Sequence, residues 1–176
     1  AILLAMLNVD KTNEDAVLCV FPADHVIKNA DLFREKVKTA VKLAEKGHIV
    51  TFGITPHYPE TGYGYIEARK PVPGDGLAID RFVEKPNMET ARSYIQTGGF
   101  FWNSGIFVWQ AEAILAEMKN YLPGLYTDLH RLKPFLDTDG LSQEINQIYP
   151  ELESISIDYG VMEKADNVLM IPADFS

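Results

Sequence analysis

Several short segments of this 176-residue sequence combine residue types that can do chemistry. Phe21-Pro-Ala-Asp24 sets a carboxylate directly behind an apolar run. A carboxylate at a strand end suits a hard divalent cation such as Mg²⁺, which takes one or two protein carboxylates and fills its other positions with phosphate and water. A turn or helix cap uses Asp in the same place, and both readings stay open. Pro172-Ala-Asp174 repeats the motif behind a second apolar run, so two carboxylates could meet at one rim of a sheet. Thr61-Gly-Tyr-Gly-Tyr65 is a glycine-bearing loop in which the backbone of Gly64 can come close to a ligand. It is not a dinucleotide fingerprint, because Glu67 stands where the third glycine belongs, and no G-x-x-x-x-G-K-[ST] phosphate loop occurs. Phe82-Val-Glu-Lys-Pro86 offers Glu84, which can accept two hydroxyl hydrogen bonds, beside Lys85, a point charge suited to phosphate. Neighbours on an extended chain face opposite ways, so each is expected to find its own partner rather than the other. Asn103-Ser-Gly105 adds an amide with both donors and acceptors, or is an ordinary turn.

The elements that must carry these residues follow from hydrophobic periodicity. Val17–Phe21 reads as a buried strand, Phe33, Val37, Ala40, Val41 and Ala44 mark one face of a helix that Gly47 ends, and residues 48–54 form the next strand. That is one βαβ unit. Residues 63–68 and 78–83 read as an antiparallel pair separated by the turn-rich stretch 70–76. A helix over 88–97 is capped by Asn87 and stopped by Gly98, and a strand follows at 105–109. Residues 111–149 are mostly helical, broken at Pro123 and Pro134, with Leu125, Leu129, Leu132 and Leu136 along one face; a short helix at 159–165 and a strand at 167–171 close the chain. The resulting class is α/β, a mixed but mostly parallel sheet flanked by helices with a small antiparallel excursion. In such sheets ligands collect beyond the carboxyl ends of the strands, where Asp24 falls.

Composition narrows the function. With 16 basic and 25 acidic residues the net charge is −9, which repels a phosphate backbone and argues against nucleic acid as a general partner. The apolar run at 1–7 is too short to span a bilayer and lacks the basic leader of a signal peptide, so no membrane association is expected. A lone Cys19 can form no intrachain disulfide, which fits a reducing, cytoplasmic setting. Asp137-Thr-Asp139 spells D-x-D but follows no strand and reads as a turn with an N-cap, the histidines show no metal-ligand spacing, and the aromatic group of Phe100, Phe101, Trp102 and Trp109 reads as core.

The order Phe21-Pro-Ala-Asp-His-Val-Ile27, Thr61-Gly-Tyr-Gly-Tyr-Ile66, Phe82-Val-Glu-Lys-Pro86, Asn103-Ser-Gly-Ile-Phe107 and Ser156-Ile-Asp-Tyr-Gly-Val-Met-Glu-Lys-Ala165 resembles the sugar-1-phosphate nucleotidyltransferases, over nearly the whole chain, and within them the mannose-1-phosphate guanylyltransferases. The resemblance implies a Rossmann-like, glycosyltransferase-A-like fold. It implies transfer of GMP from GTP to mannose 1-phosphate, giving GDP-mannose and pyrophosphate, with Asp24 on a catalytic Mg²⁺, Lys85 on the sugar phosphate, and Glu84, Asn103 and the backbone at Gly64 on sugar hydroxyls. Asp158 lies in a family motif as a substrate contact or as the N-cap of the helix from Tyr159; Gly160 replaces the motif's usual Ala and is expected only to loosen that helix. The sister thymidylyl and uridylyl activities, and a non-catalytic nucleotide-sugar-binding domain, are the alternatives, and a homodimer is compatible with the resemblance. The glycine-rich nucleotide signature of the family and its second metal-binding aspartate are missing from the sequence. Residues 1–176 are therefore expected to be a single, partial nucleotidyltransferase domain truncated at both ends, with little activity alone.

Overall fold

A computed structural model of the chain describes residues 2–10, 13 and 15–175, with nothing stated of the side chain of Asp10. In chain order the elements are α1 (Ile2–Asp10), β1 (Val17–Val20), α2 (Ala30–Ala44), β2 (Ile49–Ile54), β3 (Tyr65–Val72), β4 (Gly76–Val83), α3 (Met88–Thr97), β5 (Phe100–Gln110), α4 (Ala111–Tyr121), α5 (Pro123–His130), α6 (Leu141–Ile148) and β6 (Val168–Pro172). Single 3₁₀ turns lie at Lys133–Phe135 and Tyr149–Glu151, and a π-helical turn at Asp158–Met162. These form two compact units: a helical one of residues 1–16 and 110–165, and a sheet-bearing one of residues 17–109 and 166–176.

In the sheet unit the strand order is β1-β5-β2-β6-β4-β3, and β3 also pairs with β5. From β5 the pairings thus run through β2, β6, β4 and β3 and return to β5. The α/β class with its mixed sheet holds, but the expected predominance of parallel pairing does not. Among the described ladders β2–β6 is parallel, while β2–β5, β3–β4, β3–β5 and β4–β6 are antiparallel. The hairpin is longer than its prolines and glycines suggest: Val72 pairs with Gly76 and Pro71 with Leu77, leaving only residues 73–75 as the turn, with Gly74 and Asp75 at positive φ. Pro71 is tolerated because the ladder of β3 with β5 covers only Tyr65 to Glu67, so β3 has a free edge where the proline lacks its N–H. Nor is the hairpin an excursion, since β4 pairs with β6 and β3 with β5.

The core of this unit joins Val50 and Phe52 of β2, Ile106 and Val108 of β5, and Leu169 and Ile171 of β6 to Ala40, Leu43 and Ala44 of α2. Both predicted helices are capped. Asn29 accepts from the Leu32 N–H ahead of α2, and Asn87 from the Thr90 N–H ahead of α3 at 2.8 Å. Beyond β6, Phe175 is buried and meets Phe33 and Phe52 edge-on with ring centroids 5.1 and 5.7 Å apart.

In the helical unit, Leu3, Met6 and Leu7 of α1 and Ala111, Ile114, Leu115 and Met118 of α4 recur at helical spacing and are buried. Pro123 begins α5, where its missing N–H costs nothing. Leu129, Leu132 and Leu136 are buried as the spacing predicts. Two expectations fail here. The turn expected at residues 137–139 is present, but its N-cap is not, since Gly140, without a side-chain cap, stands at the N-cap of α6. The short helix near the end is a π turn whose N-cap position is Ile157, so Asp158 is the first residue of the turn rather than its N-cap, and the Ser156 hydroxyl accepts from the Tyr159 N–H at 3.3 Å. Gly160 does more than loosen it: a Cβ there would lie 2.8 Å from Cδ1 of Leu122. The missing methyl is the space that Leu122 occupies. No helix among the described residues is long and apolar enough to cross a membrane.

Candidate functional site

The strand β5 is where the site is built. Opposite β2, Thr51 pairs with Phe107 and Gly53 with Asn103, so one intervening residue on β2 faces three on β5. The two extra residues make a bulge at Ser104-Gly105, with Gly105 at φ 68°. Asn103-Ser-Gly105 is therefore neither a turn nor the lead into a strand, as its composition suggests, but an irregularity in the middle of a long one. Bulges re-aim side chains, and this one is locked by two local bonds: Gly105 N–H to Oδ1 of Asn103 at 3.2 Å and Ile106 N–H to Oγ of Ser104 at 3.2 Å. Asn103 is anchored from below as well, since Oγ1 of the fully buried Thr51 lies 3.3 Å from its Oδ1 and 3.0 Å from the Ile106 carbonyl.

Three residues singled out by type meet here. The N–H of Asn103 donates to the Gly64 carbonyl at 2.8 Å. A Cβ built on Gly64 would lie 2.6 Å from Oε2 of Glu84 and 3.6 Å from Cβ of Asn103. The glycine is thus required not by its own φ but by the carboxylate lying against its α-carbon. Glu84 and Lys85 behave differently from expectation: Nζ of Lys85 is 3.4 Å from Oε1 of Glu84. β4 ends at Val83, and Lys85 sits at φ 45°, a left-handed conformation rare for a side-chain-bearing residue, so the alternation of an extended strand no longer separates the two. With 64% of its side chain exposed, Lys85 gains little stability from this pair. Its ammonium stays available to an anion, and the backbone strain is of the kind that gathers at ligand sites.

A cavity of about 550 Å³ is lined by Asp24, His25, Tyr58, Tyr63, Asn103 and Ser104 among others, with Phe175 closing one side. Its aromatic wall was not legible as such. Trp102, expected to be plain core, is buried, yet the rings of Tyr58, His57 and Tyr63 meet it edge-on at centroid distances of 4.8, 5.1 and 5.5 Å. Its indole N–H is buried without a hydrogen-bond partner among the described residues, so the wall carries a donor that the protein does not use. Glu60 braces the loop bearing these rings: its carbonyl accepts from the Tyr65 hydroxyl at 2.9 Å and its carboxylate from the Gly62 N–H at 2.8 Å. Partial burial, then Tyr63 and Glu60, push the Tyr58 phenol above its ordinary 10.0.

Asp24 shares this cavity and is exposed. Asn29 rather than Asp24 caps α2, while Asp24 lies in the turn at residues 23–24, so the turn reading stands beside the metal reading. The second Pro-Ala-Asp segment comes alongside: the Phe175 carbonyl accepts from the Lys28 and Asn29 N–H groups at 3.0 and 3.4 Å, and Asp174, next to it, is exposed. No group of three or more His, Cys, Asp or Glu side chains able to hold a metal occurs among the described residues. The protein thus offers one carboxylate, with a second on the adjoining segment, which fits a hard cation completed by phosphate oxygens and water and does not fit a fully caged ion. Asp158 lies in the helical unit, at the start of its π turn.

Comparison with known proteins gives the family of the chain. A mannose-1-phosphate guanylyltransferase of Sinorhizobium fredii is 38% identical over 174 residues, covering 98% of this chain and 34% of that protein. Mannose-1-phosphate guanylyltransferase ManC of Salmonella typhimurium is 40% identical over 184 residues, 99% of this chain and 38% of the relative. The chain thus spans little more than a third of the length of these relatives. Among solved structures, one described as a mannose-1-phosphate geranyltransferase from Thermus thermophilus superposes with a TM-score of 0.85 at 34% identity, covering 99% of this chain and 49% of that one. One described as a mannose-6-phosphate isomerase from Helicobacter pylori also gives 0.85, at 31% identity and 99% and 68% coverage. The family model described as nucleotidyl transferase matches residues 1–129, and the chain belongs to that family.

Proposed function

We propose that the full-length protein transfers GMP from GTP to mannose 1-phosphate, forming GDP-mannose and releasing pyrophosphate. The observation that carries the sugar half of this reading is the convergence of Glu84 and Asn103 on Gly64, which sets a carboxylate and an amide around a backbone stripped of its side chain. A carboxylate accepts from one hydroxyl and an amide N–H donates to its neighbour, which is how a vicinal diol is held. Lys85, 3.4 Å from Glu84, would take the sugar's phosphate, for which an exposed ammonium serves as a point charge. The two curated relatives described above, both mannose-1-phosphate guanylyltransferases, support mannose and guanine over other pairs.

Asp24 would hold a divalent cation, read here as Mg²⁺. Such an ion, when bound, neutralises the charge that builds on the transferring phosphoryl group. Transfer to phosphorus asks little covalent work of the protein, so the tasks left to its side chains are positioning and charge. Glu84 and Asn103 orient the sugar, Lys85 holds the phosphate whose oxygen attacks, and Tyr58, Tyr63 and Trp102 exclude water from one side. Asp158 is retained as a substrate contact on the strength of the Ser-Ile-Asp-Tyr resemblance. The overall charge of −9 is no obstacle, since the cation and Lys85 supply the local positive field. Free Cys19 accords with a reducing, cytoplasmic setting, and a homodimer is the assembly to test first.

The test is pyrophosphate release by the full-length protein across a grid of nucleoside triphosphates and sugar 1-phosphates. GTP with mannose 1-phosphate is expected to give the highest kcat/KM. Turnover of another pair with none of this one would reassign the protein to a sister activity, and binding without turnover of any pair would make it a nucleotide-sugar-binding domain.

A further inference from the structure

Thr51 is the one buried polar or charged residue among those described, and a threonine in the middle of β2 needs a reason to be there. Its flanks are Val50 and Phe52, both fully buried, and valine would fill the same space without a hydroxyl to satisfy. The hydroxyl lies between two acceptors, 3.0 Å from the Ile106 carbonyl and 3.3 Å from Oδ1 of Asn103, and its single proton is shared between them. A second group on Oδ1, the Gly105 N–H at 3.2 Å, can only donate. The amide atom facing it must therefore be the oxygen, and the orientation of Asn103 is fixed by chemistry rather than chosen. Gly105 reaches that position through its φ of 68°, which a side chain would resist.

With both donors on the oxygen, the NH₂ is the donor end of the amide. Beside it, against Gly64, the Glu84 carboxylate is an acceptor only. A pair of fixed and opposite polarity can discriminate between hydroxyl arrangements; an amide free to flip would be ambiguous. We infer that Thr51 is a positioning residue that, together with the Gly105 N–H, locks the Asn103 amide as a hydrogen-bond donor and thereby sets recognition of the sugar hydroxyls. This inference rests on the proposed sugar 1-phosphate reading of the site, and it deepens it by naming what holds the recognition group in place.

The experiment is a double-mutant cycle on the full-length enzyme, using Thr51→Val, Asn103→Ala and both together, with Thr51→Ser as the conservative variant. KM and kcat are read separately for mannose 1-phosphate and for GTP, beside the melting temperature. Thr51→Val is expected to raise KM for the sugar phosphate by about tenfold, the scale of one hydrogen bond, with KM for GTP unmoved and Thr51→Ser restoring the wild-type value. Added to Asn103→Ala it should raise KM no further, because it acts through that amide. Additive effects, or an unchanged KM in a folded Thr51→Val protein, would overturn the assignment. Should the valine variant not fold, Thr51→Cys, similar in size but a weak donor, is subject to the same two outcomes. If the wild type prefers a different sugar 1-phosphate, the proposed substrate fails while the cycle, run with the preferred one, still decides the role of Thr51.

Discussion

Gly64→Ala separates function from stability at the candidate site. Gly64 has no positive φ, so alanine fits the backbone and meets no conformational penalty there. Its new methyl would lie 2.6 Å from Oε2 of Glu84, a separation that ordinary contact, beginning at 3.4 Å, does not allow. The carboxylate must retreat by about 0.8 Å (3.4 − 2.6), whereas Cβ of Asn103, at 3.6 Å, can stay. Because the displaced atom is the end of a flexible side chain, the fold absorbs the change, and the stability loss should stay within about 1 kcal/mol. Catalytic geometry is less forgiving: displacement on the order of 1 Å can cost about 10²-fold, so kcat/KM for the sugar phosphate is expected to fall by about 10- to 100-fold. Steady-state pyrophosphate release, with the sugar phosphate and the nucleotide varied in turn, reads this, and urea unfolding reads the stability. Gly53→Ala is the contrast. Its Cβ would sit 2.8 Å from Cβ of Phe101, close to the backbone of β5, and should destabilise by roughly 1–3 kcal/mol. An unchanged kcat/KM in folded Gly64→Ala would refute the argument that this glycine exists to admit Glu84.

Asp24→Ala should reduce turnover of the full-length enzyme by about 10²–10³, the usual scale for losing a charge-stabilising group, and should weaken protection of the protein by Mg²⁺ in thermal melts. Lys85→Ala should raise KM for the sugar phosphate while leaving the melting temperature within a degree or two, since its ion pair with Glu84 is largely exposed. Burial pushes the Cys19 thiol above its ordinary 9.0, so alkylation at pH 8 should be slower in the folded than in the unfolded chain. The folded state holds that proton more tightly than the unfolded one, so this group's contribution to stability is present below pH 9.0 and fades as pH rises above it. Faster labelling of the native protein would contradict the burial.

What could be read from the sequence was what local chemistry decides. The caps at Asn29 and Asn87 act within three residues, and only the second is framed in the sequence by a helical period and a stop at Gly98. The buried faces of α2 and α5 follow from spacing alone. Features that depend on a distant partner were out of reach. Nothing in Phe100–Gln110 announces one strand with a bulge in it, because the bulge exists only relative to β2, about 50 residues earlier, as the register of Thr51 and Gly53 shows. The rule for extended chains gives Glu84 and Lys85 separate partners, and a single residue at φ 45° suspends it. Gly160 looked like a weak point in a helix because propensity is local, whereas the space it leaves is filled by Leu122, 38 residues away.

The same distinction explains why Glu84, Asn103 and Gly64 could be proposed and Thr51 could not. Glu84 and Asn103 carry groups whose chemistry is unusual for a core, and Gly64 lacks one where a strand should begin, so each stands out by type. Thr51 does not, because threonine is an ordinary strand residue and β2 reads as a fully buried strand whether position 51 is threonine or valine. Its meaning lies in the 3.3 Å to Oδ1 of Asn103, a contact made beside the register shift between β5 and β2. A site of this kind is therefore read in two stages. Reactive or recognising groups are visible as residue types, and the residues that give them a fixed orientation become visible once burial makes an otherwise ordinary hydroxyl account for its proton.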